Sequence, residues 1–424
     1  MLPFRLDDSS PERVSFAILG CGSRGQMFAD WIARHPERAG VVAVAEPNAE
    51  RRDLVANRHG VPVQRRFASW EELLAQPRLA DALVDALMDR EHAASAISAI
   101  RAGYHVMLEK PMAVSLEQCV AIDSARRECG RIVSVCHSLR YHAVYREVRR
   151  LIAEGAIGEC VSIDQLEGVE PVHQSHSFIR GNWGNESRST FMLLAKSCHD
   201  IDILIHLMGR DCTHVSSFGE LSHFNAANRP AGAPDRCIDG CPHDSDCPYS
   251  ANKIYRAGKS WGEYLGMGRL SQPQRDQMLR TSRWGLCVYN CDNDAVDHQV
   301  VNFQFAGGAT GTFTMTAFAP GGRHLRVHGT RGYLTADIER RRIDLHRFWG
   351  IAPSSQTIEF PPERGGHGGG DDQAMECLVT AIHQRDPASV LTGTAESLRT
   401  HTVVFAAERA RRERRVVEVD AMPR

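Results

Sequence analysis

The sequence predicts an α/β protein in two parts: an N-terminal Rossmann doubly wound parallel sheet and a C-terminal α/β domain with an open, mostly antiparallel sheet. Three observations predict it. From Ser15 to about His137, short β-branched runs alternate with helical stretches, as a parallel α/β unit requires. Three glycines, Gly20, Gly22 and Gly25, stand in G-x-G-x-x-G spacing directly behind the first run. Beyond Tyr141 the apolar residues recur with period two, as in Val300-Val-Asn-Phe-Gln-Phe305 and Thr310-Gly-Thr-Phe-Thr-Met-Thr316, the pattern of an antiparallel sheet with one covered face. We divide the chain into residues 1–138 and 139–424, the second part carrying a Cys-rich insertion over 229–292.

In the first domain the apolar runs place strands at 15–19, 41–45, 82–87, 105–108 and 132–136. Helical patterns lie between them. That over 92–101 is closed by Gly103, where a left-handed residue is wanted. In the second domain a helix over 144–154 ends at Gly155. Residues 229–285 are rich in Gly, Pro, Arg and Cys with weak periodicity, the texture of loops and short helices without a core of their own.

The 424 residues, 42% hydrophobic and 24% charged with a net charge of −2, describe an ordinary globular protein without the field that gathers nucleic acid. No run reaches the ~20 apolar residues of a membrane span, and Arg5, Asp7, Asp8 and Glu12 leave no room for a signal h-region. A cytoplasmic protein with a small-molecule partner is expected. The basic run 409–415 carries Glu408 and Glu413 beside its arginines and reads as a solvated helix face.

In strand–glycine–helix context the triplet gains a mechanism. Gly20 makes the tight turn, Gly22 leaves room for a pyrophosphate, Gly25 lets the helix pack close, and Ser23 and Arg24 open that helix at its positive end. Glu46 ends the second strand some twenty residues on, where a carboxylate holds ribose hydroxyls and repels a 2′-phosphate. NAD is therefore expected over NADP, with Arg51 and Arg52 as opposing charges nearby. Glu109-Lys110-Pro111 follows the strand over 105–108, at the edge that borders a cofactor crevice.

The fingerprint, Glu46 and Glu109-Lys110-Pro111 at these intervals resemble the Gfo/Idh/MocA family, the glucose-fructose oxidoreductase and inositol dehydrogenase group, over nearly the whole chain. The resemblance implies oxidation or reduction of a secondary alcohol on a sugar or cyclitol with NAD(P), and a homodimer or homotetramer built on the open sheet. It implies that Asp89 and His92 sit at the cofactor mouth. It implies that Lys110 contacts the substrate hydroxyl, with its bond to Pro111 open to the cis form. His199 in Phe191-Met-Leu-Leu-Ala-Lys-Ser-Cys-His199 matches the family's catalytic histidine. The aspartate usual four residues earlier is replaced by Ala195, with Lys196 beside it. If the segment is one helix, Lys196 neighbours His199 and disfavours its imidazolium, keeping a base near neutral pH.

The resemblance also brings Arg140, Tyr141, His173, His176, Arg180, Trp183 and Lys196 over the site as substrate contacts, with His367 and Asp371 in a late glycine-rich segment. In the insertion, Cys237, Cys241 and Cys247 with Cys291 or Cys287 offer a structural zinc set; reduced thiols are the other reading. Two functional alternatives stand beside a net dehydrogenase: glycoside cleavage through transient NAD redox, for which the absent aspartate argues, and a non-catalytic NAD or sugar sensor, against which Lys110 and His199 argue.

Overall fold

The computed structural model describes residues 13–348 and 354–420; the N-terminal charges Arg5, Asp7, Asp8 and Glu12 lie outside them. The glycine triplet follows β1 (Val14–Leu19), whose residues are nearly all buried, as a central parallel strand covered on both faces must be. β1 pairs in parallel with β2 (Ala39–Ala45) and with β4 (Ala82–Asp85); β3 (Arg66–Phe67) extends one side, β5 (His105–Leu108) and β6 (Val133–Val135) the other. The order β3-β2-β1-β4-β5-β6 puts a reversal of strand order between β1 and β4, the switch point where doubly wound sheets bind ligands. β3 has only two residues, too short to show a period. β4 stops at Asp85, two residues before the apolar run does.

Contacts divide the chain into two compact units that do not follow its linear order. The first takes in the described residues to Ala113, then Glu117–His142 and Glu363–Leu398; the second takes in Val114–Leu116, Ala143–Pro362 and the described residues from Arg399. The linear boundary at 138/139 could not register that 363–398 returns to the first unit. There the helix Gly370–Gln384 buries Met375, Leu378 and Val379 in one cluster with Phe16, Phe28 and Ile32.

The second unit holds a nine-stranded sheet of β7 (Cys160–Gly168), β8 (Cys212–Glu220), β9 (His298–Phe305), β10 (Thr310–Thr316), β11 (Gly322–Gly329), β12 (Gly332–Asp337), β13 (Arg342–Arg347), β14 (Ser354–Glu359) and β15 (Val417–Glu418). Its order is β14-β13-β12-β11-β7-β10-β9-β8-β15, antiparallel except for the β7–β10 pair. The insertion differs from expectation. Two small apolar clusters fill it, one around Tyr255, Met267 and Leu279 and one around Phe224, Val288 and Ile179. Arg411 and Arg412 pair with Glu408, and Arg412 also with Glu186, so the basic run is neutralised locally. Among the described residues no helix is long and apolar enough to cross a membrane.

Candidate active site

In the first unit the glycines divide the work as their spacing implies. Gly20 adopts φ +81°, and a Cβ there would run into the Ala86 carbonyl; a Cβ on Gly25 would run into the Gly20 carbonyl. A Cβ on Gly22 would meet no atom within 4 Å. The helix Ser23–Arg34 starts there with exposed Ser23, no side-chain cap and no acid in its first turn, so its leading amides face open space. This cradle fits a dinucleotide pyrophosphate.

Glu46 is buried at the end of β2. Its Oε2 accepts the Cys21 amide at 2.8 Å and its Oε1 the Asn48 amide at 2.9 Å, which ties the strand end to the glycine loop. Each oxygen keeps a further lone pair for a ribose hydroxyl. Burial, with Glu46 next, pushes the Cys21 thiol up to about 12. Of the two nearby arginines it is Arg52 that turns back, donating to the Glu46 carbonyl at 2.7 Å; Arg51 is exposed and only its amide is used, capping onto Asn48.

Arg24 joins three parts of this unit. Its Nε donates to Glu109 Oε1 at 2.5 Å, while Nη1 and Nη2 grip both oxygens of Asp371 at 2.9 Å. His367 Nδ1 lies 3.0 Å from Asp371, and Ser138 donates to the same carboxylate. Burial alone would raise Asp371, but His367 and Arg24 hold it well below the usual carboxylate range. Arg24 is thus an ion-pair hub, and His367 is built into it from the carboxylate side. Glu109 in turn accepts the Lys110 amide at 3.0 Å, and the Lys110–Pro111 bond is cis. Half-buried Lys110 therefore leaves the end of β5 on a backbone anchored to the glycine-loop helix.

The remaining candidates of this unit have structural engagements. Fully buried His92 places Nδ1 2.7 Å from the Pro111 carbonyl and Nε2 3.3 Å from that of Leu87, locking the two strand-end loops together. Asp89 is buried beside it in the chain. Arg140 donates to the Leu391 carbonyl at 2.9 Å, and the Tyr141 hydroxyl accepts the Leu391 amide at 3.1 Å. Both are buried ties to the 391–392 turn rather than groups offered to a ligand.

In the second unit the histidine segment is not one helix. Met192–Ala195 ends at Lys196, and a new helix, Cys198–Met208, begins after Ser197. Lys196 consequently turns away from His199 and places Nζ 2.5 Å from Glu167 Oε1 on β7. The cation beside His199 is Arg323 of β11, whose Nη2 lies 2.9 Å from His199 Nε2. A guanidinium only donates, so Nε2 presents its lone pair and Nδ1 carries the proton. Arg323 Nε also meets Asp200 Oδ1 at 2.6 Å and Glu167 Oε2 at 3.0 Å, and Gln165 donates to Asp200 at 2.8 Å. Burial would raise Asp200, but Arg323 and then His199 hold it well below the carboxylate range. Burial pushes Glu167 up and Lys196 down. Asp200 stands next to His199 in the sequence and was there to be found; Glu167 and Arg323, 32 and 124 residues away in the chain, carry no local signal.

The histidine-rich loop corrects a further expectation. His176 stacks on Trp284 at 4.7 Å and bonds the Tyr255 hydroxyl at 3.1 Å; burial, then Arg180, lowers its pKa to about 4. Arg180, completely buried, donates to the carbonyls of Leu286 and Tyr249. His173 packs on Trp261 at 5.0 Å, and half-buried Trp183 on Phe178 at 6.4 Å. His173, His176 and Arg180 form the inner wall of the insertion, because the aromatics that bury them come from residues 255–284, whose packing no local period foretells.

Cys237, Cys241, Cys247 and Cys287 line one small cavity together with His243 and Arg180. Cys237 packs in one apolar cluster and Cys247, Cys287 and Cys291 at the other; Cys291 Sγ donates to the Cys287 carbonyl. Cys241 stays half-buried. Among the described residues no three His, Cys, Asp or Glu side chains gather closely enough to hold a metal ion, so the zinc expectation finds no support.

A family description, Oxidoreductase family, NAD-binding Rossmann fold, matches residues 14–137, and its partner, Oxidoreductase family, C-terminal alpha/beta domain, matches 149–419. The chain belongs to the Gfo/Idh/MocA oxidoreductase family. This Gfo/Idh/MocA chain is 24% identical over 310 residues to the YteT protein of Bacillus subtilis (strain 168), covering 70% of itself and 72% of that protein. It is 27% identical over 212 residues to scyllo-inositol 2-dehydrogenase (NAD(+)) of the same organism, which spans 49% of this chain and 58% of that one. Its fold is that of levoglucosan dehydrogenase, solved with NADH and levoglucosan, at a TM-score of 0.72 and 18% identity over 97% of this chain and 100% of that chain.

Proposed function

We propose that this Gfo/Idh/MocA oxidoreductase is an NAD-dependent dehydrogenase of a secondary alcohol on a sugar, sugar derivative or cyclitol. The observation that carries the reading lies within the first unit: Arg24 couples the open cradle at Gly22 to Glu109, and through it to Lys110 at the next strand end. The dinucleotide, when bound, supplies the hydride acceptor. We place the acid/base roles on Lys110, as the contact for the substrate hydroxyl, and on His199, whose Nε2 accepts from Arg323 Nη2 at 2.9 Å. A positioned base of this kind contributes about 10²–10⁴-fold. The relatives named above, for an inositol and for levoglucosan, support a polyhydroxylated ring as substrate. Glu46 favours NAD over NADP by its charge. Exposed Val161 and Phe218 on the nine-stranded sheet support a homodimer or homotetramer, which light scattering measures.

The test is a panel of cyclitols, aldoses, sugar acids and glycosides with purified protein and NAD, followed at the NADH absorbance. Net NADH with one substrate, abolished in Lys110→Met and His199→Gln that still bind NAD, is the expected result. Aglycone release without net NADH would replace the reading by oxidation–elimination, which the Ala195 substitution of the family's aspartate favours. NAD binding with no turnover of any kind would replace it by a sensor.

A further inference from the structure

The first unit contains a second concavity that the dehydrogenase reading does not use. It is a cavity of about 550 Å³ at the amino ends of β1, β5 and β6, the edge of the sheet opposite Gly20, Glu46 and Glu109. Its wall carries Arg13, Arg78, Arg126, Arg131 and Arg385, together with His105.

The bland explanation is that these arginines cap helices, since in a parallel sheet the helix C-termini gather at this edge. It accounts for part of the charge. Arg78 and Arg131 donate to the Gly103 carbonyl at 3.0 and 3.3 Å, past the end of the helix His92–Arg101, and Arg131 also to Cys129 at 3.0 Å. Three helices end here, the others being Leu116–Cys129 and Gly370–Gln384. Each end offsets only about half a charge. Arg126 is matched by Asp123 at 3.3 Å. Among the described residues the one carboxylate in the wall, Asp81, already accepts the amide and hydroxyl of Ser15 at 2.9 and 2.5 Å. Four guanidiniums against one carboxylate and three helix ends leave a surplus of roughly one and a half positive charges. A phosphate monoester carries about −1.5 to −2. We propose that this arginine-lined cavity binds the phosphate group of a small anion, at a site separate from the dinucleotide cradle.

His105 suits the same ligand. Its Nδ1 accepts the Ile132 amide at 2.9 Å, so the neutral ring carries its proton on Nε2 as a further donor. Burial, then Arg131 and Arg78, lowers its pKa to about 4, so it stays a neutral donor near pH 7. The volume lies within the range of small-molecule sites, and planar forks match phosphate oxygens two at a time.

The full-length protein is titrated calorimetrically with inorganic phosphate and with glucose 6-phosphate in 100 mM salt, with NAD titrated separately. Three variants accompany it. Arg78→Gln/Arg131→Gln removes two forks. Arg385→Gly removes a third charge from an exposed residue at φ +54°, where glycine is at ease, so folding is kept. Arg78→Lys/Arg131→Lys keeps the charge but loses the fork. We expect saturable binding of at least one phosphate probe, weakened at least tenfold by the double Gln variant, severalfold by Arg385→Gly and to an intermediate degree by the Lys pair, with NAD affinity unchanged. Equal affinity for both probes assigns the cavity to the phosphate group alone, and tighter glucose 6-phosphate to an ester. No binding of either at millimolar concentration, or binding that Arg385→Gly and both double variants leave untouched, overturns the proposal. Because NAD binding is read independently, neither result bears on the dehydrogenase reading.

Discussion

Arg323 has the most demanding position of any single residue. It neutralises two buried carboxylates, Asp200 and Glu167, and fixes which nitrogen of His199 is free of a proton. Removing one partner of a buried ionic group leaves the others uncompensated, so Arg323→Met should lower stability by about 3–5 kcal/mol, measured by urea unfolding. Arg323→Lys keeps a charge but not the fork that spans both carboxylates, and should lose less stability than the Met variant. At Glu46 the charge is the determinant: Glu46→Gln should raise NADP affinity relative to NAD by about tenfold, read from paired titrations, because the amide no longer repels a 2′-phosphate. The sequence displayed Glu46 and Lys110, since each stands just past a strand end at an interval from the glycine motif, and it displayed His199 through the family resemblance. It displayed no partner for them. Arg24, Asp371, Glu167 and Arg323 are brought together from residues far apart in the chain, and the expected Lys196–His199 neighbour pair failed because the backbone breaks between Ala195 and Cys198.

The glycine loop and its helix separate folding from binding within one element. At Gly25 a methyl group meets the Gly20 carbonyl, and Gly25→Ala should misplace the helix and lower Tm by several degrees. At Gly22 the space is empty of protein, so Gly22→Ala should melt within about 2 °C of the parent yet bind NAD at least tenfold more weakly. Equal loss of stability in both variants would show that Gly22 also serves packing. The strands and helices of the first unit were largely legible, because a doubly wound sheet buries long apolar runs in fixed alternation with helices. β3, two residues long, was not legible, nor were the insertion's clusters, whose apolar residues follow no single period.

Across the whole molecule, Glu363–Leu398 returns to the first unit and supplies Met375, Leu378 and Val379 to its core. Burying three such side chains contributes about 5–8 kcal/mol, comparable to the total stability of a domain. A chain cut after Pro362 should therefore lose the cooperative unfolding of its first unit, seen as a flattened melting curve. The alkaline limit is set in part by Tyr141, whose phenol burial pushes up to about 12. The neutral form is the one the fold favours, so this stability is fully present below the ordinary tyrosine pKa of about 10 and is lost as pH rises from there to about 12. Tyr141→Phe should flatten the alkaline limb of a stability–pH curve over that window.

The sequence by itself determined the fold class, the glycine cradle with its carboxylate, and the lysine at its strand end, because these depend on local period and short fixed spacings; the histidine on which we place the chemistry was legible through the family resemblance. Tertiary structure alone decided which charges surround them, which histidines and cysteines are walls rather than ligands, and that the chain's late helix completes its first unit. Those outcomes depend on contacts between residues distant in the chain, where burial makes an unpaired charge so unfavourable that partners are selected by packing rather than by order.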